Sequence, residues 1–148
     1  MGLLVAYQSL FAQSFQATVV TVNCEGFMGK GVAEVCKRLY PNVYIDYFRR
    51  CKSGKLKPGH ISNEDCYQLS DGRYIILFPT KDRWRRNSEF DWIESGLKDL
   101  LAHCHRLCLD DIGLPPPGCG NGGLDLKDVQ PLIESIFSEE DVEVTLCI

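Results

Sequence analysis

The 148-residue chain has no CxxC pair, no long uninterrupted apolar run and no large excess of either charge. Each absence removes a class of protein. A spanning helix needs roughly 18 apolar residues in a row, so a membrane location is not expected. Cysteine occurs eight times, at 24, 36, 51, 66, 104, 108, 119 and 147, but without the paired spacing of a zinc knuckle or ribbon. Only His103-Cys104-His105-Arg106-Leu107-Cys108 approaches a metal signature, and adjacent residues on a helix point in different directions, so neither a metal nor a cofactor is expected. A net charge of −4 argues against broad coating of nucleic acid. The amino end lacks a basic leader and is interrupted by Gln8, Ser9, Gln13, Ser14 and Gln16, which does not read as a signal peptide. Ala6 fails the myristoylation pattern. The expectation is a cytoplasmic protein whose thiols are reduced and mostly buried.

Apolar residues at 45% and charged residues at 24% place the chain among globular proteins rather than disordered or low-complexity ones. Its length suits one core and is short for two, so residues 1–148 are read as a single domain.

Short β-branched runs alternate with helical patterns, which predicts an α/β fold with a mixed central sheet and helices on both faces. Strands are expected at Leu3 to Tyr7, Thr18 to Cys24, Asp110 to Leu114 and Val142 to Cys147. A hairpin around Ser70-Asp71-Gly72 joins Cys66–Leu69 to the run RYIILFPT, expected to be a central strand. Helices are expected at Gly31 to Leu39, closed by Tyr40-Pro41, and from about Val43 to Cys51. A long helix follows Ser88 as N-cap, with Phe90, Ile93, Leu97, Leu100 and Leu101 on one stripe. Another is capped by Asp125 and carries Val129, Leu132, Ile133, Ile136 and Phe137. Basic residues bunch at Arg49, Arg50, Lys52, Lys55 and Lys57, read as a solvated face, and at Lys81, Arg83, Arg85 and Arg86, a candidate anion-binding face.

Ligands of open α/β sheets sit beyond the carboxyl ends of the strands, which directs attention to three connections. Asn23-Cys24-Glu25-Gly26-Phe27-Met28-Gly29-Lys30-Gly31 leads into a helix. Its glycines let backbone approach a ligand, the helix start favours an anion, and Asn23 has amide donors and a carbonyl for sugar hydroxyls or for capping the turn. Pro115-Pro116-Pro117-Gly118-Cys119-Gly120-Asn121-Gly122-Gly123 holds four glycines within six residues, a concentration of N–H donors suited to phosphates. It is neither a Walker A loop nor a dinucleotide fingerprint, because the Gly-Lys-Ser/Thr ending is missing and the loop does not follow the first strand. Phe78-Pro79-Thr80-Lys81-Asp82-Arg83-Trp84 places a lysine where a strand meets the crevice, as a nucleophilic amine or a phosphate counter-charge. Trp84 beside arginines either stacks on a base or shields the sheet edge. No histidine reads as a general base: His60 falls in a loop, and His103 and His105 on the surface of the long helix.

Taken together, VNCEGFMGKGVAEVCKRLYP, the KSG turn, DGRYIILFPTKDRWR and IGLPPPGCGNGGLDLKDVQPLIE resemble the macrodomain family over nearly the whole chain. The likeness is to the branch that contains the DarG antitoxin macrodomain and the terminal ADP-ribose glycohydrolase. It implies a three-layer fold that binds ADP-ribose, with Asn23 near the distal ribose, Gly29 to Gly31 closing over it, Gly118 to Gly122 wrapping the diphosphate, and Lys81 catalytic at the anomeric carbon. The ligand-binding candidates are thus Asn23, Met28, Gly29, Lys30, Gly31, Thr80, Trp84, Gly118, Cys119, Gly120, Asn121 and Gly122, with the ε-amine of Lys81 between the two glycine turns. Two positions depart from the branch. The terminal ADP-ribose glycohydrolase has an aspartate where this chain has Gly122, whereas DarG also has glycine. The Gly-Asp that meets adenine in the family appears here as Gln8-Ser9. The implied activity is removal of ADP-ribose from a DNA base or an acidic side chain, the implied partner an ADP-ribosylated DNA or protein. Dephosphorylation of ADP-ribose 1″-phosphate and recognition of ADP-ribose without turnover are the alternatives.

Overall fold

The computed structural model describes residues 3–7, 9–12 and 14–148. Strands β1 (Leu3–Ala6), β2 (Ala17–Asn23), β3 (Cys66–Gln68), β4 (Tyr74–Lys81), β5 (Asp111–Leu114) and β6 (Glu143–Cys147) form one sheet in the order β1-β6-β5-β2-β4-β3. All pairings are parallel except β3 against β4, the hairpin that the Asp-Gly turn predicts. Helices α1 (Gly31–Leu39), α2 (Pro41–Lys52), α3 (Phe90–Arg106) and α4 (Leu126–Phe137) complete the set, with short 3₁₀ turns at Leu10–Ala12, Asn63–Asp65 and Gly120–Gly122. The mixed sheet with helices on both faces is the architecture expected from the alternation of patterns.

Strand alternation makes the layers. Val19, Ile76 and Phe78 face a core shared with Ile93, Leu97 and Leu100 of α3 and Val129, Ile133 and Phe137 of α4. Val20, Val22, Ile75 and Leu77 point the other way, against Ala33 and Cys36 of α1 and Val43 and Tyr47 of α2. Because β2 and β4 are covered on both sides, they read as continuous apolar runs instead of alternating ones. Gly96 lets α3 settle onto Phe78: a Cβ there would lie 2.2 Å from the ring.

Several local expectations are corrected. Pro41 opens α2 instead of merely closing α1, since a proline at the first helical position loses no intrahelical bond. Ser88 is not the cap of α3; Glu89 holds that position without a side-chain cap, and the Ser88 hydroxyl is buried with no hydrogen-bond partner among the described residues. Phe90 turns outward, 39% exposed, so the buried stripe of α3 starts at Ile93. Asp125 does cap α4, its carboxylate accepting from the Lys127 N–H at 3.0 Å.

Arg50 is no solvated cation: its guanidinium is buried, donating to Asp65 at 2.7 Å, the Tyr67 hydroxyl at 2.6 Å and Asp46 at 3.0 Å. Burial works against the charge, but the Tyr67 hydroxyl and Asp65 more than offset it and hold the guanidinium above its usual range. His103 is likewise buried, with Nε2 2.7 Å from the Ile61 carbonyl, while His105 stays on the surface with its Nε2 3.0 Å from Glu140. All eight cysteines are free, but only Cys36, Cys104 and Cys147 are fully buried.

Candidate active site

The parallel strands β5, β2 and β4 lie side by side, so the three loops that leave their carboxyl ends meet at one edge of the sheet. Sheet order differs from chain order. Lys81 falls between the two glycine loops in sequence, but in space β2 takes the centre, and the Asn23 loop separates Lys81 on one side from the Gly118–Gly122 loop on the other. The expectation of a central amine is corrected on this point, because a crossover connection inserts β2 between strands that follow it in the chain.

Asn23 ends β2 and organises its own loop. Its Nδ2 donates to the Phe27 carbonyl at 2.8 Å, while Oδ1 accepts from the Glu25 and Phe27 N–H groups at 3.0 and 3.3 Å. Tyr47 of α2, fully buried, donates its hydroxyl to the Asn23 carbonyl at 2.6 Å and stands 3.0 Å from Oδ1. One amide hydrogen of Asn23 is left to donate elsewhere, fewer donors than the isolated residue has. Tyr47→Phe should cost about 1 kcal/mol, the usual net worth of a hydrogen bond, and weaken binding of the ligand that the resemblance implies, ADP-ribose, by loosening Asn23. Thermal unfolding and calorimetry on the same variant check both effects.

A bulge presents Lys81. Val22 pairs with Pro79 but Asn23 pairs with Lys81, so Thr80 is the extra residue on β4 and its side chain is buried. This shift sets Lys81 level with Asn23. The Lys81 Nζ donates to the Trp84 carbonyl at 3.1 Å. Partial burial lowers its pKa below the ordinary lysine value, and the positive charge of Lys30, at the start of α1, adds to the effect. Gly29 and Gly31 border open space, where an added Cβ would meet nothing within 4 Å among the described residues. Met28 is different: its side chain is buried among Val20, Val22 and Cys36, so any contact with a ligand falls to its backbone.

The glycine-rich loop is partly self-satisfied. The N–H groups of Cys119, Gly122, Gly123 and Leu124 donate to the carbonyls of Pro116, Cys119, Gly120 and Gly118, while Gly120 and Asn121 stand exposed at its tip. Gly118 adopts a φ of +74°, and a Cβ there would come within 2.9 Å of Ile93 and 2.8 Å of Leu124, so this position requires glycine twice over. Ser88 ties the loops together, its N–H donating to the Gly122 carbonyl at 2.8 Å, and a Cβ on Gly122 would lie 2.7 Å from its hydroxyl. Burial pushes the thiol of Cys24 up to about 12 and that of Cys119 up to about 11, so both are protonated at neutral pH and poor nucleophiles.

Beside Lys81 the Asn23 loop and the Lys81 loop close a groove of about 380 Å³, lined by Glu25, Phe27, Arg83, Trp84, Arg85 and Arg86. A groove of the same volume between Tyr74 and Leu107 lies where β4 begins, away from these loops, and its Asp71–Arg73 pair is already neutralised. Among the described residues no group of three or more His, Cys, Asp and Glu side chains is placed to hold a metal ion. Gln8 of the altered adenine motif lies outside the described residues, and Ser9 is exposed.

No residue pattern along the chain marked Tyr47 or Ser88 as parts of this edge, or gave Glu25 its partner. Tyr47 is 24 residues from Asn23, and Glu25 accepts from Trp84 across 59 residues, so neither pairing has a local signature.

Known proteins resemble this chain in sequence and in fold. A protein of Mycobacterium tuberculosis named DNA ADP-ribosyl glycohydrolase is 41% identical over 132 residues, 88% of this chain. This chain spans only 38% of that protein's length. The macrodomain of Mycobacterium tuberculosis DarG superposes with a TM-score of 0.91 at 36% identity, covering 98% of this chain and 96% of the other. The structure of Thermosipho africanus DarTG in complex with ADP-ribose gives a TM-score of 0.85 at 30% identity, covering 99% of this chain and 42% of the other. No helix among the described residues is long and apolar enough to cross a membrane. The family model described as Macro domain matches residues 19–133, from β2 through most of α4, and so takes in all three loops of the site: the chain belongs to the macro domain family.

Proposed function

We propose that this chain is a glycosidic hydrolase that releases ADP-ribose from a nucleobase of DNA. The observation that carries the reading is the Lys81 amine, partly desolvated at the carboxyl end of β4 and level with Asn23, beside two glycine-bearing loops. The name of the Mycobacterium tuberculosis relative supports DNA as the carrier of the modification. Asn23 and the Met28–Gly31 backbone face the distal ribose, with Lys30 supplying charge; Gly118, Cys119, Gly120, Asn121 and Gly122 follow the diphosphate; buried Thr80 sets the bulge that aims Lys81.

In the reaction, the neutral amine of Lys81 forms a bond to the anomeric carbon as the bond to the base nitrogen breaks, the base taking the electron pair and the proton that the attacking amine gives up. Water then displaces the amine and frees ADP-ribose. Glycine at position 122 means that no carboxylate at that place assists, so the amine carries the step. We read residues 1–148 as one macrodomain, and its eight free thiols suit a reducing cytoplasm.

The test is a substrate comparison. Single-stranded DNA carrying ADP-ribose on a base should lose it, with free ADP-ribose as product by mass spectrometry, faster than ADP-ribosylated protein or ADP-ribose 1″-phosphate. Preferred release of inorganic phosphate would make the chain a phosphatase. Tight ADP-ribose binding with all three substrates intact would make it a non-catalytic reader.

A further inference from the structure

We propose that the groove between Phe27 and Trp84 is a docking site for the single strand of nucleic acid that flanks the modified base, a subsite separate from the ADP-ribose cleft. The inference rests on the glycohydrolase reading and gives it a second contact with its substrate. Phe27 and Trp84 are large apolar side chains left 50% and 41% exposed. Their rings meet edge to face, with centroids 6.2 Å apart and an interplanar angle of 74°. An edge-to-face contact covers at most one face of one ring, so the pair still offers exposed ring surface, and a base can stack on such a surface whatever its sequence.

Charge selects the partner. The chain carries −4 overall, yet Arg83, Arg85 and Arg86 line this one groove within four residues. The Arg85 guanidinium lies 4.7 Å from the centre of the Trp84 ring, so a cation and a stacking surface are offered together. Glu25 sets one carboxylate against three guanidinium groups, and its Oε1 accepts from the Trp84 N–H at 2.9 Å, which fixes the loop that displays the ring. A repeating polyanion with exposed aromatic faces matches these features. Duplex DNA shows phosphates but keeps its base faces stacked inside, and an acidic peptide has charge without the planar rings, so an unpaired strand fits best.

The groove is also coupled to the reacting amine. Lys81 donates to the Trp84 carbonyl at 3.1 Å, and the Cys24 N–H donates to the Asp82 carbonyl at 3.2 Å, so the two loops that form the groove are also those that hold Asn23 and Lys81. A strand seated on Trp84 therefore presents its modified base to the amine from a fixed direction.

The experiment uses a fluorescent single-stranded DNA of roughly twelve nucleotides bearing ADP-ribose on one base, the unmodified strand, and free ADP-ribose. Binding to Trp84→Ala, to Arg85→Ala/Arg86→Ala and to the parent chain is measured by anisotropy and calorimetry over a range of salt, and KM is measured for release. Trp84→Ala should weaken the modified strand by roughly tenfold, the scale of one base stack, and raise KM with little change in kcat. The double arginine variant should lower the salt dependence of strand binding by about 0.7 in log–log slope for each phosphate it no longer neutralises. Free ADP-ribose should bind the double arginine variant as it binds the parent chain, Trp84→Ala should weaken free ADP-ribose by less than it weakens the modified strand, and thermal unfolding shows that both variants are folded. The proposal is overturned if the modified strand binds the parent chain no more tightly than free ADP-ribose does, or if an ADP-ribosylated acidic peptide or the same modified strand in a duplex gains as much from Trp84. Base release that persists while strand binding ignores Trp84 and both arginines would reject the subsite and leave the glycohydrolase reading intact; no base release at all would reject that reading instead.

Discussion

Lys81→Ala should lower release of ADP-ribose from DNA by at least about a hundredfold while leaving ADP-ribose binding within a few-fold of the parent value. The residue ends β4, is partly exposed and makes one hydrogen bond through its side chain, to the Trp84 carbonyl, so its loss should barely change stability. Lys81→Arg separates two roles for the amine. A guanidinium keeps the charge but remains protonated throughout the working pH range, so it has no free electron pair for the anomeric carbon. If the arginine variant stays inactive, the amine is the nucleophile; if it works, charge alone suffices. The pH profile adds a sign. The Lys81 pKa is lowered, by burial first and by Lys30 second, and the neutral amine is the reacting form, so the rate should rise with pH and level off below the ordinary lysine value. Lys30→Ala removes a neighbouring positive charge and should move that rise to higher pH. A rate that is flat in pH and unchanged in Lys81→Ala would exclude the residue from the chemistry.

Asp65→Ala should destabilise the protein by about 3 to 5 kcal/mol, the range seen when one member of a buried ion pair is removed. For a chain of this size that corresponds to a fall in Tm of roughly 10 °C or more. Asp65 is 2% exposed and Arg50 is 6% exposed, with the two joined at 2.7 Å. The other carboxylate oxygen of Asp65 accepts from the Ser62 N–H at 2.9 Å and stands 3.2 Å from its hydroxyl, so the substitution also unties the turn before β3. Asp46 and Tyr67 still contact the guanidinium, which places the expected loss toward the lower end of the range. Replacing both residues by apolar ones of similar volume, Arg50→Met with Asp65→Leu, should recover much of the stability, because no uncompensated charge stays buried. Thermal unfolding of the single and double variants decides this. The same helix, α2, carries Tyr47 to Asn23, so the single variant should bind ADP-ribose less tightly than the double variant does.

Much of the site was legible from residue patterns. The apolar run from Ala17 to Asn23 and the run ending in Lys81 mark strands buried on both faces, and glycines cluster where β2 and β5 give way to helices. Such patterns reflect local chemistry: β-branched residues favour strands, Asp125 caps a helix, and Asp-Gly turns a hairpin. They placed the fold class, the family likeness and the three loops without reference to contacts between distant residues.

Tertiary structure alone decided the arrangement of those loops. Chain order puts Lys81 between the glycine turns, whereas strand order puts Asn23 there, since pairing follows crossover geometry instead of sequence distance. It also decided which polar groups are buried. Arg50 looked solvated among basic neighbours until Asp65, Asp46 and Tyr67 converged on it, and Asn23 looked free until Tyr47 and its own loop claimed most of its hydrogen bonds. Local propensity acts over a few residues and can be read along the chain; the partner of a buried charge or a loop amide is selected by packing across many residues, and only the folded molecule brings the two together.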